Sequence, residues 1–121
     1  VLPKIIRRVG ELVVGRCRRA LVFGSVARGE ELRESDLDLL LIAGGLREVA
    51  TARQAAAEVR AALGAGWGLR VNPIVLTERA VTARQARKDP LVASIFREGI
   101  AIDLGRTKGR RDAPDRTTAT G

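Results

Sequence analysis

Apolar residues near the start of the chain fall at Ile5, Ile6, Val9, Leu12 and Val13, the spacing of one helical face, with Arg7, Arg8, Glu11 and Arg16 opposite. Pro3 suits the first turn of a helix, so the pattern predicts a helix over 3–17. Two continuous apolar runs follow, Arg19 to Phe23 ending at Gly24 and Leu37 to Ile42 ending near Gly44-Gly45, and both read as buried strands joined by a polar, turn-like stretch. Alanine-rich helical character runs from Leu46 to Leu63, with a stop expected at Gly64-Ala65-Gly66. Leu69 to Leu76 reads as a third strand; Pro73 within it lacks a ladder donor and argues for an edge position or a bulge. Thr77-Glu78 opens a capped helix, Asp89-Pro90 a second short one over Leu91 to Glu98, and Gly99 releases the chain into a last strand, Ile100 to Leu104. Beyond Gly105 the apolar signal ends, which predicts one domain over 1–105 and a disordered basic tail over 106–121.

With Trp67, Phe23 and Phe96 as the aromatics, the core must be built from Val, Leu, Ile and Ala; Cys17 reads as a small core residue of the first helix and Trp67 as a packing residue. The net charge of +8 invites a nucleic-acid partner, since a basic surface attracts phosphate backbones. Its distribution makes that the least favoured partner. Arg106, Lys108, Arg110, Arg111 and Arg116 against Asp112 and Asp115 place three of those charges in the tail, and the arginines elsewhere are spread along the chain as solvated faces are. A single cysteine, no signal-peptide pattern and no apolar run near the roughly 20 residues that span a bilayer point to a cytoplasmic protein without a membrane partner.

Candidate chemistry gathers between Leu21 and Ala43. Gly24 at a strand end permits close backbone approach, Ser25 adds a hydroxyl beside backbone N–H groups, Arg28 can pair with phosphate oxygens and Gly29 lets the chain turn away. Ser35 is either a cap before the next strand or a further phosphate contact. Asp36 and Asp38 are two apart on a strand and so project from one face, while Leu37 and Leu39 project from the other. Two carboxylates sharing a site repel, and a divalent cation with a preference for hard oxygen ligands relieves that repulsion.

A Gly-Ser pair after a strand, followed by Asp-apolar-Asp on the next, resembles the signature of the DNA polymerase β-like nucleotidyltransferases, and most closely the minimal nucleotidyltransferases of antitoxin type. Gly24-Ser25, Arg28-Gly29 and Ser35-Asp36-Leu37-Asp38-Leu39 carry the match, and the likeness extends loosely over 3–104. The resemblance implies an α+β fold, a small mixed sheet flanked by helices. It implies Asp36 and Asp38 as catalytic metal ligands for Mg²⁺ or Mn²⁺, Gly24, Ser25, Arg28, Gly29 and Ser35 as nucleotide-binding residues, and ATP or another nucleoside triphosphate as donor. It also implies transfer of AMP, with a HEPN-type toxin as partner and possible acceptor.

Where the family places a third carboxylate, the strand here reads Arg70-Val71-Asn72-Pro73, making Asn72 a weak auxiliary metal ligand and a poor base. Asp103 on the last strand is a less favoured substitute. Two readings therefore stand together: an active nucleotidyltransferase, and a catalytically impaired module that binds nucleotide or partner. The free surface of the first helix, with Leu91, Val92, Ile95 and Phe96, is a candidate contact for a partner protein or a second copy of the chain.

Overall fold

The computed structural model describes residues 2–24 and 36–105. Ser25, Arg28, Gly29, Ser35 and the expected tail lie outside the described residues. In chain order the elements are α1 (Leu2–Val13), β1 (Arg19–Phe23), β2 (Asp36–Ala43), a short 3₁₀ turn (Leu46–Glu48), α2 (Val49–Trp67), β3 (Arg70–Thr77), α3 (Glu78–Ala86), α4 (Pro90–Glu98) and β4 (Ile100–Ala101). The strands form one mixed sheet in the order β3-β2-β1-β4. β1 pairs antiparallel with both β2 and β4, and β2 pairs parallel with β3, the crossover between those two passing through α2. This is the α+β architecture the resemblance implied, and Pro73 does lie on an edge strand.

Period-two alternation on β2 divides the core into two layers. Leu37, Leu39, Leu41 and Ala43 meet Ile5, Val9 and Val13 of α1 and Ala52, Ala55, Val59 and Leu63 of α2. On the other face, Leu40 and Ile42 meet Val81 of α3 and Val92 and Ile95 of α4, with Phe23, Ile74, Leu76 and Phe96 packed around them. That second layer stops short of the start of β2, where the same row of side chains continues as Asp38 and Asp36, both only partly buried. Because α4 packs inward through Val92 and Ile95, and Phe96 packs against the same layer, only Leu91 of the four residues offered as a partner contact remains well exposed, at 45%.

Three element ends differ from the expected ones. α1 stops at Val13, where Arg16 N–H donates to Val13 O (2.9 Å) and Gly15 takes a positive φ of 77°; Cys17 is buried, but in the connector rather than the helix. α2 runs through Gly64 and Gly66 to Trp67, because glycine weakens a helix interior without ending it. The stop comes at Gly68, left-handed at φ 66°, whose N–H donates to Gly64 O at 3.0 Å. β4 ends at Ala101; Ile102 N–H still donates to Ala20 O (2.9 Å), after which Ile102 and Leu104 turn into the α1 layer.

Candidate active site

The parallel register of β2 and β3 sets Asp36 opposite Arg70 and Asp38 opposite Asn72. Alternate residues of each strand share a face, so these four polar side chains collect where the apolar row Leu40, Ile42, Ile74, Leu76 gives out. Asn72 Nδ2 donates to Asp36 Oδ2 (3.0 Å) and to Asp38 Oδ1 (3.3 Å). Arg70 Nε lies 3.0 Å from Asp36 Oδ1. One guanidinium and one amide thus divide the repulsion of two adjacent carboxylates between them.

β1 completes this corner. Phe23 pairs with Asp38 across the antiparallel ladder, and the next residue, Gly24, takes a φ of 83°. A Cβ at Gly24 would overlap Asp38 Oδ2, so the carboxylate occupies the space that glycine leaves. Gly24, Asp36, Asp38 and Asn72, all picked out from the sequence, are therefore brought to one end of the sheet. Asp103 is not. Ala101 pairs with Leu21 in an antiparallel ladder, so residues beyond it run toward the Arg19 end of β1, away from Phe23 and Asp38. There Asp103 Oδ1 accepts from Gly105 N–H at 2.8 Å. The residue that sequence reasoning missed is Arg70, whose signal was its place two before Asn72 on the same strand and hence on the same face.

A model of the nucleotidyltransferase domain family matches residues 2–101. The chain belongs to that family. A protein of known structure described as a minimal nucleotidyltransferase is 30% identical over 82% of this chain and 90% of its own, with a TM-score of 0.56. Two toxin–antitoxin structures agree in fold. One, solved with AMP-PNP, is 16% identical with a TM-score of 0.53, covering 88% of this chain and 77% of its own. The other, a mutant of MntA-HpeT, is 15% identical with a TM-score of 0.52, covering 84% and 75%. A search of curated proteins finds no match.

For a nucleotidyltransferase domain the question is whether these residues suit a divalent cation. Among the described residues no three His, Cys, Asp or Glu side chains converge on a metal position. Two carboxylates lie together around Asn72, and Mg²⁺ bound together with substrate phosphates takes only one or two carboxylates from a protein while keeping waters. The carboxylates offer hard oxygens, and the lack of a side chain at Gly24 makes room for Asp38 Oδ2. Asn72 turns its amide nitrogen toward the carboxylates; half a turn of the amide would bring its oxygen there instead. Carboxylate and amide oxygens are donors that suit a hard divalent cation.

Proposed function

We propose that this domain transfers a nucleoside monophosphate, AMP from ATP foremost, from a cation-bound nucleoside triphosphate to a hydroxyl of a partner protein of HEPN type. The observation that carries the reading is the pairing of Asp36 and Asp38 on one face of β2, with Gly24 shaped to the Asp38 carboxylate. The toxin–antitoxin protein of similar fold solved with AMP-PNP supports both an adenine nucleotide and a protein partner.

In this reading Asp36 and Asp38 hold the cation, with Asn72 as an auxiliary ligand through its amide oxygen. The phosphate oxygens fall to the nucleotide-binding residues expected from the sequence, Gly24, Ser25, Arg28, Gly29 and Ser35, of which all but Gly24 lie outside the described residues. When bound, the cation neutralises charge on the phosphates and helps align the attacking oxygen. The acceptor oxygen bonds to the α-phosphorus as the bond from the α-phosphorus to the bridging oxygen breaks, and pyrophosphate leaves. Asn72 is too weak a base to take the acceptor proton, and among the described residues at the site only Asp36 and Asp38 are carboxylates; the acceptor can also supply the group itself.

That weakness favours a second reading, in which the domain binds nucleotide or its partner without turnover. Titration of ATP with and without Mg²⁺ against the wild type and Asp38→Asn tests the donor site before any acceptor is known. Cation-dependent binding, weakened at least about tenfold in the variant, is expected; no binding under either condition would leave a partner-binding module. Release of pyrophosphate on adding a HEPN-type protein then separates turnover from binding alone.

A further inference from the structure

Arg70 is the first residue of edge strand β3 and stands opposite Asp36 in the parallel pairing. Its Nε sits 3.0 Å from Asp36 Oδ1, while Asn72 Nδ2 donates to the other oxygen, Oδ2, at 3.0 Å. Both oxygens of Asp36 are thus engaged by donors of this chain. Each oxygen keeps a second lone pair for a ligand, but a cation that takes Asp36 meets the like charge of the Arg70 guanidinium beside Oδ1.

Both donors are exposed, and they differ in what each holds: Arg70 is paired with Asp36, Asn72 with both carboxylates. The Arg70 side chain is 73% exposed and that of Asp36 43%, so the guanidinium can swing into solvent by rotation of its own torsions, with no movement of the core. Asn72 bridges Asp36 to Asp38 in the unloaded domain, and a turn of its amide keeps it at the site as a cation ligand, whereas Arg70, a cation itself, has to leave. A guanidinium released at the rim of such a site presents a planar fork of donors that matches phosphate oxygens as well as it matches a carboxylate.

We propose that Arg70 covers Asp36 in the unloaded domain and passes to the phosphates of the donor when cation and nucleotide enter together. This rests on the reading of Asp36 and Asp38 as the ligands of the donor's cation. Arg70 then makes the two ligands interdependent. A bare cation displaces it without giving it a new partner, whereas a cation carrying a polyphosphate supplies one, so each ligand favours the other.

Free Mn²⁺ measured by electron paramagnetic resonance tests this on the wild type, Arg70→Ala, Arg70→Lys and the double variant Arg70→Ala/Asp38→Asn, first without nucleotide and then with a non-hydrolysable ATP analogue. Arg70 is exposed at a strand end, and circular dichroism verifies that each variant keeps its fold. Removing an exposed ion pair and a like charge should tighten bare Mn²⁺ about fivefold in Arg70→Ala and weaken the Mn²⁺-analogue complex by a similar factor, with Arg70→Lys nearer the wild type. Bare Mn²⁺ binding no tighter in Arg70→Ala than in the wild type, yet lost in the double variant, overturns the role of Arg70 and leaves the donor site standing. Equal Mn²⁺ binding by Arg70→Ala and the double variant removes the donor site itself. Tighter bare Mn²⁺ with undiminished analogue binding overturns the passage of Arg70 to phosphate.

Discussion

At Asn72 a single amide nitrogen serves two carboxylates, donating to Asp36 at 3.0 Å and Asp38 at 3.3 Å. Asn72→Asp removes both hydrogen bonds and sets a third negative charge beside the other two, so the unloaded domain should lose about 1–3 kcal/mol of stability. A divalent cation with nucleotide reverses the sign of that effect. Thermal melts should show Mg²⁺ with ATP raising the midpoint more in Asn72→Asp than in the wild type, since binding to the folded state alone stabilises it by mass action. Equal rises would mean that position 72 does not face the cation. Gly24 makes the complementary case, because its φ of 83° and the overlap of any Cβ with Asp38 Oδ2 act together. Gly24→Ala should lower stability by about 1–2 kcal/mol from the backbone alone. By displacing the carboxylate it should also weaken cation-dependent ATP binding about tenfold in the same titration. A variant that melts earlier but binds normally would show that the fit of Gly24 to Asp38 is structural only.

Among the elements, β2 carries the site because it is apolar along most of its length and polar only at its start, where the α3 and α4 layer no longer covers it. Helix starts follow local chemistry closely. Thr77 accepts from Ala80 N–H (3.0 Å) at the head of α3, as expected of a capped helix, and Asp89, at the expected break, accepts from Leu91 N–H and Val92 N–H at the head of α4. Helix ends were less legible, since α2 passes two glycines before the one whose left-handed conformation stops it. Between α1 and α2 the Arg16 guanidinium makes a two-pronged pair with Glu58, at 2.7 and 3.0 Å. The hydrogen bond from Arg16 holds the Glu58 carboxyl below its ordinary range, against a smaller opposing effect of desolvation. The unfolded chain therefore binds the proton more readily. This pair's contribution is present above the ordinary carboxylate pKa and is lost as pH falls through the lowered native value. Melting wild type and Glu58→Gln across the acid range should show a midpoint difference that is largest near neutrality and closes as pH falls; a difference independent of pH would remove Glu58 as its source.

Over the whole molecule the net charge is +8. Among the described residues some of the arginines are paired on the surface, Arg8 with Glu11, Arg19 with Glu78 and Arg84 with Asp89. Among the described residues no helix is long and apolar enough to cross a membrane. What the sequence determined by itself was local. Helical and strand periods named the elements, and the two-residue spacing of Asp36 and Asp38 put both carboxylates on one face before any neighbour was known, because alternation is a property of a single strand. What only the tertiary structure decided was adjacency. β2 and β3 meet in parallel through the α2 crossover, and their register, which no local pattern encodes, sets Arg70 against Asp36 and Asn72 between the two aspartates. The same logic sends Asp103, the less favoured substitute, toward the far end of β1. Register is fixed by the packing of both sheet faces against their helices, a balance summed over residues far apart in the chain, and for that reason the charge around the carboxylates became visible only in the folded molecule.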